Sequence, residues 1–119
     1  MLSRVLGWFK EQKAWKADHI RTWAGMTELD SNGISKFQKN AISALEQQGV
    51  HLDFKRVGES EAYFLASIPS TEIDVYIYGD GAQVSGNENL LRAEEWDYRT
   101  PNDLIQELVS VICKHVPAT

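Results

Sequence analysis

Apolar positions recur along this chain with two periods, and the period changes near residue 50. Leu2, Val5, Leu6, Phe9, Ile20 and Trp23 fall on one side at 3.6-residue spacing, which predicts a helix over residues 3–24. Lys13 and Lys16 interrupt that stripe, and Trp8 and Trp15 lie seven apart on a neighbouring one. Core packing of the tryptophans with lysine stems lying over apolar surface accounts for such a pattern; so does a helix resting at a membrane interface. Gly25 to Gly33 breaks the period, with turn chemistry in Asp30, Ser31, Asn32 and Gly33. A second helix is predicted from Ser35 to Gln48. Its apolar side is Ile34, Phe37, Ala41, Ala44 and Leu45, and Gly49 supplies a left-handed cap.

From Val50 onward the period is two. Strands are predicted over Val50–Val57, Glu61–Ile68, Glu72–Tyr78 and Ala82–Ser85, with a possible fifth over Asn89–Glu94. Gly58 to Ser60, Pro69 to Thr71 and Gly79 to Gly81 are the turns between them. Connections this short favour antiparallel pairing, because a parallel crossover needs about a dozen residues. The period then lengthens again. Thr100 can cap a helix, Pro101 suits its first position, and Asp103 follows the cap by three residues. Leu104, Ile105, Leu108, Val109 and Ile112 form its apolar side, Lys114 and His115 sit at the negative end of its dipole, and Pro117 ends it.

The expectation is therefore one α+β domain over residues 1–119. It is an antiparallel β-meander of four to five strands, with two N-terminal helices and one C-terminal helix packed on the sheet. Leu52, Phe54, Ile73, Val75, Ile77, Leu104, Leu108 and Ile112 are the expected core, and Trp96 is expected to join the sheet to the last helix. The pattern does not fix the order of the strands.

Composition narrows the function classes. Hydrophobic residues at 43% and charged residues at 24% describe an ordinary globular chain. A net charge of −5 argues against a general nucleic-acid binder, which needs a basic surface. The charge is unevenly spread. Residues 1–24 carry five basic against two acidic side chains, and the remainder seven against fifteen. A basic front segment on an acidic body can dock on that body, meet an anionic surface or stand solvated. The apolar stretch Val5–Phe9 is too short for a secretory leader, and no stretch reaches a membrane span. With a single cysteine there is no intrachain disulfide, and a cytoplasmic location is expected.

Candidate chemistry is sparse. His19, His51 and His115 fall on different elements and show no metal-ligand spacing with Cys113, so no metal or cofactor is expected. Cys113 lies on or beside the apolar side of the last helix and reads as a buried structural thiol. Gly79-Asp80-Gly81 lacks the glycine spacing, lysine and following helix of a phosphate loop. No catalytic residues are assigned. The polar face of the third strand is more informative: Asp74, Tyr76 and Tyr78 should project together. Tyrosines on a sheet surface serve an interface, where they give contact area at low entropy cost, unless the first helix covers them.

The second half of the chain, a meander followed by Glu95-Trp96-Asp97-Tyr98-Arg99-Thr100-Pro101 and then Leu104-Ile105 in a final helix, is similar in pattern to small bacterial immunity proteins, which neutralise polymorphic or contact-dependent toxins. The resemblance covers residues 61–112. It implies a stoichiometric inhibitor in the producing cell's cytoplasm that covers a cognate toxin. The expected contacts are Asp74, Tyr76, Tyr78, Asp80, Glu94, Glu95 and Asp97, the carboxylates steering a basic partner and the tyrosines anchoring it. The partner would be a toxin or effector protein, with no direct nucleic-acid contact and no stable membrane insertion, and the inhibitor a monomer or homodimer. A small acidic chaperone or adaptor for a secreted effector shares these features; it would be a homodimer that binds a flexible segment.

Overall fold

The computed structural model describes residues 2–116, with side chains described at Trp8 and from Lys10 onward. Three helices and five strands follow one another as α1 (Leu2–Trp23), α2 (Lys36–Gln47), β1 (Lys55–Val57), β2 (Tyr63–Ser67), β3 (Asp74–Tyr78), β4 (Gly81–Ser85), β5 (Asn89–Glu94) and α3 (Pro101–His115). A 3-10 turn, Glu95–Asp97, leads from β5 toward α3. The sheet order is β1-β2-β3-β4-β5, every pair antiparallel, so each strand lies beside its neighbour in sequence. This is the expected α+β meander.

Register decides which side chains share a face. Phe64 sits opposite Ile77, Ala66 opposite Val75, Ile77 opposite Ala82, Val75 opposite Val84, Ala82 opposite Ala93, and Val84 opposite Leu91. That face is apolar and packs against Phe37, Ala41 and Leu45 of α2 and against Leu104, Leu108 and Ile112 of α3. Val75, Ile77, Leu104, Leu108 and Ile112 are fully buried, as expected. Leu52, Phe54 and Ile73 are only half-buried at the margin of the core. The first strand is correspondingly shorter than expected: residues 50–54 approach the sheet without joining it, and only Lys55–Val57 pair. Gly81 is needed where β4 and β5 come close, because a Cβ there would run into the Ala93 carbonyl oxygen.

The helix ends follow their caps. Thr100 Oγ1 accepts the Asp103 amide at 3.1 Å, and Pro101 fills the first turn of α3. Gly49, at φ +78°, accompanies the hydrogen bond from Val50 N to Leu45 O that closes α2. Before α2, Asp30 folds the loop around its own carboxylate. The Asn32 and Ile34 amides donate to Oδ1 at 2.8 and 3.1 Å, and Lys39 of α2 donates to Oδ2 at 2.8 Å. The Lys39 ammonium and these amides hold the carboxyl down at about 2, from an ordinary 3.8. A carboxyl lowered on folding stabilises the fold above its unfolded value and loses that contribution as pH falls through its folded value. Thermal melts should therefore show wild type and Asp30→Asn converging as pH drops from 3.8 toward about 2. A constant gap across that window would contradict the assignment.

Helix α1 is attached by its C-terminal end. Trp23 is 4% exposed, its ring centroid lies 5.7 Å from that of Phe37, and its Nε1 donates to Tyr98 O at 3.1 Å. One turn earlier, His19 stacks on Trp15 and meets Trp23 at a tilt of 34°, with its Nε2 3.0 Å from Glu95 O. Asp18 pairs with Arg21 and with Arg99, whose Nε donates at 2.8 Å, and these two guanidiniums hold its carboxyl below the usual range. Lys10, Lys13 and Lys16 are exposed and make no ion pair among the described residues. Ile20, expected on the buried stripe, is 65% exposed, because the helix meets the body through Asp18, His19, Thr22 and Trp23 instead. The expected contributions of Leu2, Val5, Leu6 and Phe9 lie outside the described side chains.

Two further expectations require correction. Trp96 is 60% exposed, with Nε1 donating to Glu94 Oε2 at 2.8 Å. Trp23 and Tyr98 make the junction assigned to it. Cys113 is exposed rather than buried, because α3 turns Leu108, Val109 and Ile112 inward and Cys113 falls outside that arc.

Candidate functional site

The sheet face left uncovered by α2 and α3 carries the aromatic residues. Tyr76 and Tyr78 stack with ring centroids 6.2 Å apart and planes 5° from parallel. Tyr63 leans on both from β2, at 6.3 Å from Tyr76 and 5.6 Å from Tyr78. Strand parity explains this. Phe64 and Ala66 point to the core, so Tyr63 points away, and antiparallel pairing of β2 with β3 brings it beside Tyr78. All three rings are half-exposed. Gln83 and Arg92, paired in register, extend the same face across β4 and β5. Burial against the neighbouring rings pushes the Tyr78 hydroxyl up, while Arg92 offsets part of that rise.

At one end this face opens into a cleft of about 450 Å³. Thr27 and Leu29 from the loop before α2 form one wall, and Tyr63 and Tyr78 another. Glu61, Asp80 and Glu95 stand around it, and Ala62 and Gly79 lie at its base. The base is held by polar groups that are fully buried. Ser35 Oγ donates to Gly79 O at 2.8 Å and accepts the Gln38 amide at 3.2 Å. Gln38 Oε1 accepts the Ser35 amide at 2.8 Å, and its Nε2 donates to Ala62 O at 2.7 Å and Ile77 O at 3.1 Å. This is a capping box whose glutamine also ties the start of α2 to β2 and β3. Gly33 seals the loop above it: at φ +76° its position would place a Cβ 2.7 Å from Ser60 O.

The expected contact residues are partly gathered. Tyr76 and Tyr78 lie side by side, and Asp80 and Glu95 stand at the cleft, where Glu95 N donates to Asp80 O at 3.0 Å. Glu94 shares the face at the β5 edge, 3.8 Å from Arg92 and bonded to Trp96. Asp74 lies at the opposite end of β3, where Ser67 Oγ donates to its Oδ1 at 2.7 Å. Asp97 is exposed on the 3-10 turn and is not among the residues lining the cleft. Tyr63, Glu61 and Trp96 belong to the surface but were not among the expected contacts. The parity of β2 pointed to the first; the 3-10 turn that carries Trp96 and the closeness of the 27–29 loop to Gly79 have no local signal.

The segment Glu95 to Thr100 also has a structural role. Its carbonyls at Glu95, Tyr98 and Arg99 take hydrogen bonds from His19, Trp23 and Thr22. Tyr98 donates from its hydroxyl to Glu107 Oε2 at 2.8 Å. Burial first, then that carboxylate, pushes the Tyr98 phenol up to about 12. A phenol raised on folding stabilises the fold below its unfolded value of about 10 and loses that contribution as pH rises through its folded value. In an absorbance titration of the phenols, Tyr98→Phe should remove the most alkaline step. Retention of that step would show that another tyrosine produces it.

Among the described residues no group of three metal-ligating side chains converges, and no helix is long and apolar enough to cross a membrane. No protein-family model, curated protein or solved structure matches this chain.

Proposed function

We propose that this protein is an immunity-type inhibitor, which neutralises a cognate toxin in the cytoplasm by stoichiometric binding and not by turnover. The observation carrying this reading is the continuity of the three-tyrosine face with the acidic cleft at its end. Half-exposed rings held against one another provide rigid amphipathic area, with little side-chain freedom left to lose on association. Trp96 adds a large exposed ring at the β5 edge, the residue type most enriched among binding hot spots. The surrounding carboxylates, on a body that is acidic from residue 25 onward, draw in a basic partner and raise its association rate.

The test is co-expression with the product of a toxin-like reading frame adjacent to the gene. Wild type should form a one-to-one complex and restore growth. Tyr76→Ala with Tyr78→Ala should weaken the complex by at least tenfold, roughly 1.4 kcal/mol or more. Protection unaffected by that pair would remove the tyrosine face from the mechanism. Light scattering of the free protein addresses the chaperone alternative, which requires a homodimer.

A further inference from the structure

The cleft at the end of the tyrosine face has a chemistry of its own, and we infer that it is a receptor for one arginine side chain of the docking partner. The inference rests on the reading of this face as a partner-binding surface and specifies the group that enters it. A volume of about 450 Å³ suits an organic group and is far larger than a bare cation needs. Tyr63 and Tyr78 form one wall, with ring centroids 5.6 Å apart, and Leu29, 40% exposed, stands on another. Glu61, Asp80 and Glu95 line the cleft from three separate segments, the first two exposed to solvent. None of these carboxylates has an ion pair or side-chain hydrogen bond among the described residues, so each is available to a cation that enters the cleft.

Guanidinium is the cation that fits both halves of this site. It is planar and weakly hydrated, so it stacks on a tyrosine ring while its N–H groups reach carboxylates at its edge. Its aliphatic stem would lie along Leu29 and the rings. An ammonium would satisfy the charge but stay more strongly hydrated, leaving the aromatic wall less used. The hollow between α2 and α3, about 620 Å³, is the contrasting case: Thr22, Asn40, Gln47, Pro101, Asn102 and Ile105 help line it, and none of its residues is charged.

The floor is preset. Gln38 and Ser35 fix Ala62, Ile77 and Gly79, so Tyr63, Tyr78 and Asp80 are positioned before anything binds. Little reorganisation is then needed at the moment of contact.

Two measurements test the inference. In the first, the free protein is titrated with N-acetyl-arginine amide and, separately, with the citrulline analogue, which has the same shape and no charge. Arginine should shift the backbone resonances of Thr27, Tyr63, Tyr78, Gly79 and Asp80, and citrulline should not. Equal shifts with both, or arginine shifts spread evenly over the acidic surface, would overturn it. The second compares two triple variants for affinity to the toxin partner. Glu61→Gln, Asp80→Asn and Glu95→Gln together should lose at least tenfold. Glu46→Gln, Glu72→Gln and Glu88→Gln remove the same charge elsewhere and should lose less than threefold. If wild type binds and both triples bind equally well, the cleft inference fails while the inhibitor reading stands. If arginine titrates into the cleft but the co-expressed toxin neither binds nor is neutralised, the inhibitor reading fails and the cleft assignment survives.

Discussion

Gln38→Glu should destabilise the protein by ~3 kcal/mol or more at neutral pH, although the same change on an exposed first helical turn would be favourable. Two effects compete. A carboxylate at this position of α2 suits the helix dipole and can still accept the Ser35 amide, which argues for a gain of about 0.3–1 kcal/mol. The other end of the side chain decides the sign. Gln38 Nε2 donates to Ala62 O and Ile77 O, and the residue is fully buried. A carboxylate oxygen in place of that nitrogen faces two carbonyl oxygens with no water to relieve it. Protonation would restore one donor, so the introduced carboxyl should titrate above the ordinary glutamate value. Its penalty should shrink as pH falls and grow as pH rises. Urea unfolding at neutral pH and at about pH 4 measures both the cost and its direction. Gln38→Met is the uncharged comparison: it orphans the Ser35 amide and both carbonyls, and about 2–4 kcal/mol is expected, without the pH dependence. Equal stability of Gln38→Glu and wild type at neutral pH would mean that the amide is not the tie between α2 and the sheet.

Trp23→Ala carries the second large effect, about 3–5 kcal/mol for emptying a buried indole site. The ring packs against Phe37, and its N–H satisfies Tyr98 O. A further consequence follows from how α1 is held. Its described contacts with the body run through Asp18, His19, Thr22 and Trp23, while residues 10–14 are exposed. Helices gain most of their stability from packing, and one detached at its anchor is marginal in water. Circular dichroism of Trp23→Ala should therefore show helix lost below the main unfolding transition. Trp23→Phe should keep α1 docked and lose ~1–3 kcal/mol, mainly from the unsatisfied carbonyl and the smaller ring. A single transition with wild-type helicity in Trp23→Ala would place the anchor elsewhere.

What the sequence disclosed divides along physical lines. The Gly49 end of α2, the Thr100 cap of α3 and the five strand segments were legible, because each rests on residues within a few positions of one another; the Ser35–Gln38 box that starts α2 was missed. Thr100-Pro101 with Asp103 marks a helix start wherever it occurs, and the short turns leave a meander as the economical pairing. The site was legible only in part. Tyr76 and Tyr78 share a strand face by parity, so their juxtaposition needed no tertiary information. Tyr63 joins them through the β2–β3 register, which no local rule fixed. Trp96 and Cys113 show the same boundary. Trp96 and Trp23 are equally apolar, and burial of the second depends on contacts with Phe37 and Tyr98. No strand parity reaches Trp96, because the 3-10 turn at Glu95–Asp97 ends the alternation of β5. For Cys113 a signal did exist: it lies just outside the arc defined by Leu108, Val109 and Ile112. There hydrophobicity overrode phase.

The attachment of α1 sets an order of events during synthesis. The β-meander can assemble strand by strand as it leaves the ribosome, since each strand pairs with the one made just before it. The front helix is made first and meets Phe37 early through Trp23, but its hydrogen-bonding and ion-pairing partners Glu95, Tyr98 and Arg99 lie 75 to 81 residues further on. Until those partners emerge, the helix is held at most by Trp23 against Phe37, and its exposed lysines face whatever surrounds the nascent chain. A released chain truncated before Tyr98 would contain all five strands and yet lack the Tyr98 and Arg99 groups that fix the first helix.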